Sequence, residues 1–136
     1  MRLKGVRIGF AFTGSYCVFD QVFPQLQKLV DEGAEVTPIV SYQTAVMDSR
    51  YGKAEDFLRM MEEITGRKPV STIVDAEPLG TQNYPLDIVV IAPATGSTLS
   101  KLADAATDTP VLMTAKGQFR NHKPVLLGIA TNDGLG

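Results

Sequence analysis

The chain has 136 residues, of which 44% are apolar and 21% charged, with a formal net charge of −2 at neutral pH. This length allows one domain with a well-buried core, and the composition is typical of soluble globular proteins. A pI near 5.3 excludes the basic footprint of a protein that binds nucleic acid or an anionic membrane. No apolar run approaches the roughly 18–20 residues that a membrane-spanning helix needs.

Cysteine usage and the N-terminus both favour a reducing compartment. Cys17 is the only cysteine, which excludes an intramolecular disulfide bond. Residues 1–5 contain two basic side chains but neither the apolar core nor the cleavage site of a signal peptide. We therefore expect a cytoplasmic protein.

The first half of the chain alternates between strand and helix patterns. The predicted order is strand 6–12, helix 18–32, strand Glu35–Val40, loop 41–53 and helix Ala54–Thr65. Pro24 lies within the first helical pattern, where it either belongs to the first turn or kinks the helix. Pro38 lies within the second strand pattern and indicates a sheet edge or a bulge.

The second half continues the alternation without repeats or a low-complexity linker. The predicted order is strand 71–74, loop 75–85, strand 88–92, a polar turn, helix 99–106, a strand that begins at Pro110, basic loop 116–123 and strand 125–130. Alternating strands and helices predict an α/β fold with an open, parallel, doubly wound sheet and helices on both faces. We expect a single domain over residues 1–136. The last strand lacks the helix that this order requires, so we expect a truncated chain without a C-terminal helical segment.

Small polar residues follow four of the predicted strands, and they predict a binding site. They are Thr13, Gly14 and Ser15; Ser41; the loop of Ala94, Thr95, Gly96, Ser97 and Thr98; and Thr131, Asn132 and Asp133. In doubly wound folds, ligands bind beside the carboxyl ends of the strands, and helix N-termini there favour anions. No G-x-G-x-x-G or G-x-x-x-x-G-K-[ST] motif occurs, which argues against a dinucleotide or triphosphate site. A hydroxyl-rich loop without a lysine indicates a monophosphate, as in a mononucleotide.

The remaining reactive residues have plainer interpretations beside their chemical ones. Cys17 is either a small buried side chain or a thiolate activated at a helix N-terminus. His122, the only histidine, is either a loop residue or a general base. Lys116 and Arg120 form an exposed basic turn, a subunit contact or a carboxylate site. Asp104 and Asp108 are expected to be surface charges or helix caps. No metal-ligand cluster or catalytic triad is apparent in the sequence.

The segments that carry these features resemble the flavoprotein superfamily. It contains the homo-oligomeric flavin-containing cysteine decarboxylases and the prenylated-flavin synthases. Within it, the chain resembles the B subunits of dipicolinate synthases from spore-forming bacteria. The similarity covers almost the entire chain, including KGVRIGFAFTGSYC, FPQLQKLVDEGAEV, DAEPLG, IAPATGSTLSKLADAATDTPVLMTAK and PVLLGIATNDGLG.

The resemblance implies a flavodoxin-like three-layer sandwich that binds FMN. Gly14 and Ser15 would lie near its phosphate, Ser41 would match the hydroxyl position after the second strand, and the second cofactor loop would consist of Ala94, Thr95, Ser97 and Thr98. It further implies a trimer-based homo-oligomer. The A subunits of dipicolinate synthases would be the partners. Such a partner would supply the NADP site and, with this chain, would oxidise a cyclic lysine-pathway intermediate to dipicolinate during sporulation.

Two departures from the decarboxylases bear on the reaction. Their catalytic histidine near the second helix has no counterpart in residues 45–57, and Ser97 stands where their cofactor loop has asparagine. The resemblance therefore favours one component of an oxidoreductase complex, with its catalytic residues unassigned. The alternatives are a stand-alone FMN-dependent, decarboxylase-like enzyme and a non-catalytic scaffold that no longer binds flavin.

Overall fold

The computed structural model describes residues 1–14 and 16–129, which form a layered α/β structure. Its strands are β1 (Arg7–Phe12), β2 (Glu35–Val40), β3 (Ile88–Ala94) and β4 (Val125–Ile129). Its helices are α1 (Phe19–Asp31), α2 (Tyr42–Val46), α3 (Ala54–Thr65), α4 (Ile73–Ala76), α5 (Gly96–Ala103) and α6 (Pro110–Arg120). The strands form one parallel sheet in the order β2-β1-β3-β4.

The two faces of the sheet are buried by different helices because side chains alternate along each strand. On one face, Phe12 packs against α1, with its ring centroid 5.5 Å from that of Phe19 and 5.4 Å from that of Phe23. On the other face, Ile91 belongs to a cluster with Val111 of α6. The predicted parallel sheet with helices on both faces is confirmed.

The structure shows how Pro24 and Pro38, whose effects the sequence did not decide, are accommodated. Helix α1 continues through Pro24, which lies at its sixth residue. Pro38 lies in β2, an edge strand of the sheet within the described residues. On the outer side of β2, Val70 is the only described residue that forms backbone hydrogen bonds with the strand. Its amide donates to the carbonyl oxygen of Pro38, and its carbonyl oxygen accepts from the amide of Val40. A proline is tolerated in an edge strand because the missing N–H need not face a neighbour.

Two predicted strands are wrong. The predicted strand from Pro110 is helix α6, which begins with the Thr109 cap and takes up most of the predicted basic loop 116–123. A cap residue followed by proline is a helix-start signal. The apolar run after it is short enough to fit the spacing of a strand as well as that of a helix. The predicted strand 71–74 is instead the start of α4, capped by Thr72. The predicted loop 41–53 contains the short helix α2.

One side of β4 lacks a covering layer within residues 1–14 and 16–129. Leu126 pairs in register with Val90, on the face that α1 covers farther along the sheet. It is 58% exposed. An apolar cavity of about 600 Å³ lies between this surface and α1. The remainder of the last predicted strand and the polar residues Thr131, Asn132 and Asp133 lie outside the described residues.

Candidate functional site

Three helices whose caps are hydroxyl side chains begin around one cavity at the carboxyl edge of the sheet. Ser41 caps α2 and accepts a hydrogen bond from the amide of Thr44 at 3.2 Å. Thr95 caps α5 and accepts from the amide of Thr98 at 3.2 Å. Thr109 caps α6 and accepts from the amide of Leu112 at 3.1 Å. These bonds satisfy amides that the first helical turn leaves without partners.

The buried hydroxyl of Thr13 joins the loops that follow β1 and β3. Its Oγ1 donates to the carbonyl oxygen of Pro93 at 2.5 Å and accepts from the amide of Thr95 at 3.1 Å. The amide of Thr13 also donates to Pro93, at 3.2 Å. The two polar loops predicted to share a ligand are therefore directly hydrogen-bonded to each other.

Gly14 lies against the side chain of Gln43 at the start of α2. A Cβ atom placed on Gly14 would lie 2.8 Å from Gln43 Oε1, which is closer than such atoms approach. The Tyr16 hydroxyl donates to the carbonyl oxygen of Gln43 at 2.8 Å and ties this turn to α2. Partial burial raises the pKa of Tyr16 above its ordinary value of 10.0.

The loop from Thr95 to Thr98 presents both hydroxyl and amide groups. The Thr95 and Thr98 hydroxyl oxygens lie 3.0 Å apart, and Ser97 is exposed at the rim. No described residue accepts a hydrogen bond from the amide of Gly96 or Ser97. Free amides and hydroxyl groups at the start of a helix favour an oxyanion, because the helix dipole is positive there.

The cavity between these elements has a volume of about 240 Å³. Its described lining residues are Thr13, Gly14, Ser41, Tyr42, Gln43, Thr95, Ser97, Thr98, Lys101, Thr109, Val111 and Leu112. Lys101 is the one charged residue among them, and its Nζ lies 3.2 Å from Oδ2 of Asp108. The larger apolar cavity beside β4 has no comparable set of hydroxyl groups, so we assign the candidate site to the smaller one.

Six of the predicted site residues line this cavity. They are Thr13, Gly14, Ser41, Thr95, Ser97 and Thr98. Ala94 instead lies fully buried in the core, and Ser15 lies outside the described residues. The predictions missed Gln43, Lys101 and Thr109. The signals for two of these were the Thr109–Pro110 helix start and the three-residue spacing from Thr98 to Lys101.

The other reactive residues lie elsewhere or have structural roles. Arg120 lies at the far end of α6, roughly 15 Å from Pro110 at a rise of about 1.5 Å per residue. His122 follows it and is exposed at the edge of the sheet opposite the cavity. Asp104 caps the C-terminus of α5. Cys17 is half-buried in the turn before α1. Among the described residues, no cluster of His, Cys, Asp or Glu suits a metal ion. No described helix is long and apolar enough to cross a membrane.

Comparison with known proteins places the chain in a family. The model of the flavoprotein family matches residues 1–133. The chain belongs to the flavoprotein family. This flavoprotein is 52% identical to the B subunit of dipicolinate synthase from Bacillus subtilis over 134 residues, which cover 98% of the chain and 66% of the relative. The chain therefore spans just under two thirds of that relative's length.

Two solved structures extend the comparison. The structure of the B subunit of dipicolinate synthase from Bacillus halodurans is 46% identical, with a TM-score of 0.85 over 100% of this flavoprotein and 69% of that chain. The structure of Burkholderia xenovorans DmrB, described as an FMN complex and a cubic protein cage for redox transfer, is 21% identical. Its TM-score is 0.71 over 95% of this chain and 67% of its own. At that identity, the likeness shows only a shared fold.

Proposed function

We propose that this flavoprotein is the B-type, FMN-binding subunit of a dipicolinate synthase. The observation that carries the proposal is 52% identity to the Bacillus subtilis relative over nearly the whole chain. The hydroxyl-lined cavity supports it, because the residues that form the cavity belong to the matched region. The proposal places the protein in the cytoplasm of a sporulating cell.

The cavity is chemically suited to the phosphate end of FMN. Amides of Gly96 and Ser97 and the hydroxyl groups of Ser41, Thr98 and Thr109 supply donors for phosphate oxygens, while Gly14 keeps the wall free of a side chain. Thr13, in the loop after β1, positions the two loops and does not need to touch the ligand, because its hydroxyl already bonds to Pro93 at the end of β3 and to Thr95 just after it. When bound, FMN would supply a group that accepts and releases two electrons.

The nicotinamide part of the reaction would belong to a partner protein. We propose that the A-type protein of the same synthase, a separate chain, binds NADP and that the two together oxidise a cyclic lysine-pathway intermediate to dipicolinate. The absence of a dinucleotide motif from this sequence supports that division. We also propose a trimer-based homo-oligomer, which is in keeping with the cage described for DmrB.

The test combines cofactor binding with a reconstituted reaction. The chain is purified alone and with its co-expressed A-type partner, and flavin absorbance, mass by light scattering and dipicolinate formation with a nicotinamide acceptor are measured. We expect bound or acquired FMN, a mass that is a multiple of three chains, and faster dipicolinate formation with both proteins. Full activity of the A-type partner by itself would refute a catalytic contribution from this chain. A protein that neither takes up FMN nor gains thermal stability from it would refute the flavin role.

A further inference from the structure

The candidate cavity has a single charged residue in its described lining, and that residue is a cation. Its described lining consists of hydroxyl, amide, aromatic, apolar and glycine residues, together with the single cation Lys101. No described carboxylate lines it, and the carboxylate of Asp108, which pairs with Lys101, lies outside the lining. A phosphate monoester, which carries up to two negative charges, suits such a cavity better than an uncharged ligand does.

Lys101 is positioned by the same helix that presents the hydroxyl loop. It follows Thr98 by three residues within α5, and residues at this spacing lie on the same helix face. Thr98 itself bonds to the helix cap Thr95 through both its amide and its hydroxyl group. The long, flexible lysine side chain therefore extends from the face of α5 that carries the hydroxyl groups.

The present partner of Lys101 would release it easily. The ion pair with Asp108 is open to solvent, with 43% of the lysine side chain and 63% of the aspartate side chain exposed. Exposed ion pairs contribute little stability because water and dissolved salt screen them and because both side chains lose freedom. Hydrogen bonds between ammonium and phosphate groups in a partly enclosed site are stronger, since less water competes there.

We propose that Lys101 is a phosphate-selective binding residue, which exchanges Asp108 for the phosphate monoester of the ligand in this cavity. The inference deepens the proposed flavin site, on which it rests, and names the group that distinguishes a phosphorylated flavin from an unphosphorylated one. Asp108 holds the lysine at the rim until the phosphate arrives. Selectivity for the phosphate thus comes from a residue outside the hydroxyl loop itself.

The test compares FMN with riboflavin in matched variants. Dissociation constants for both are measured by flavin fluorescence with the unaltered protein and with Lys101→Met, Asp108→Asn and the control Lys116→Met, which removes an exposed lysine outside this cavity. We expect Lys101→Met to weaken FMN binding roughly 10- to 100-fold and to leave riboflavin binding unchanged, as for the loss of a hydrogen bond to a charged group. Lys116→Met should leave the FMN-to-riboflavin ratio unchanged, and Asp108→Asn should bind FMN at least as tightly as the unaltered protein.

Two results would overturn the inference while the proposed flavin site stands. They are an unchanged FMN-to-riboflavin ratio in Lys101→Met, and a loss of FMN affinity in Asp108→Asn as large as that in Lys101→Met. If the protein binds no flavin, its thermal stability with inorganic phosphate still tests the role of Lys101. If the unaltered protein binds no flavin but gains thermal stability from phosphate, and Lys101→Met loses that gain while Lys116→Met keeps it, then Lys101 binds phosphate and the flavin role fails. If phosphate has no effect either, both ideas fail.

Discussion

The Thr13 hydroxyl accepts a hydrogen bond from the Thr95 amide at 3.1 Å, although 82 residues separate them in the chain. The same hydroxyl donates to the carbonyl oxygen of Pro93. Because Thr13 is only 2% exposed, these bonds have little competition from water. The carboxyl ends of β1 and β3 are consequently held in a fixed relation, and with them the two walls of the cavity.

Replacing Thr13 by valine should destabilise the protein and weaken FMN binding together. The valine leaves the partly buried Thr95 amide without its acceptor, which costs about 1–3 kcal/mol in the free energy of unfolding. Chemical denaturation and FMN titration measure the two effects. Thr13→Ser is the control, because it retains the hydroxyl and should keep near-normal FMN affinity. Equal affinity in Thr13→Val and the unaltered protein would show that the link does not position the site.

Removing the cap of α5 should affect the ligand, whereas removing a similar cap elsewhere should not. Thr95→Ala and Thr72→Ala each delete a threonine that accepts a hydrogen bond from the amide three residues later. Each is expected to cost about 1 kcal/mol of stability. Only Thr95→Ala should also weaken FMN binding, because Thr72 caps α4 and does not line the cavity. Similar FMN affinities in the two variants would argue against this assignment of the site.

A methyl group on Gly14 should obstruct the cavity without unfolding the protein. In Gly14→Ala the new Cβ meets only the far end of the Gln43 side chain, which is exposed and able to move. We expect stability within about 0.5 kcal/mol of the original, as for a surface substitution, and roughly tenfold weaker FMN binding. Adding Gln43→Ala should restore part of that affinity. If the double variant binds no better than Gly14→Ala, crowding by Gln43 is not the cause.

Tyr16 should make the stability depend on pH in the alkaline range. Burial raises the pKa of Tyr16 in the folded protein above 10.0, so the folded state resists ionisation more than the unfolded state does. This contribution is fully present below pH 10 and is lost as the pH rises through the folded pKa. Tyr16→Phe loses the bond to Gln43 and should be less stable near pH 8, by about 0.5–1.5 kcal/mol. That difference should shrink as the pH is raised from about 10 through the folded pKa in urea unfolding; a constant difference would contradict the assignment.

Much of the fold and site was predictable because local patterns agreed with the final packing. Apolar strand runs, helical stripes and the small residues at strand ends correctly indicated a parallel sheet and placed Thr13, Ser41 and Thr98 at one edge. Prediction failed where short segments were ambiguous. The apolar residues after Pro110 fit a strand as well as a helix by periodicity, and only burial of Val111 and Ala115 against the sheet shows which face α6 presents.

The sequence by itself determined the order of most elements, the chemical character of the strand-end loops and the likeness to the flavoprotein family. These depend on residue type and spacing along the chain. Tertiary structure decided that Lys101 borders the cavity, that Ala94 is buried in the core, and that Thr13 bonds to Thr95. Such relations depend on how distant segments pack, and contacts between residues 82 positions apart leave no periodic signal in the sequence.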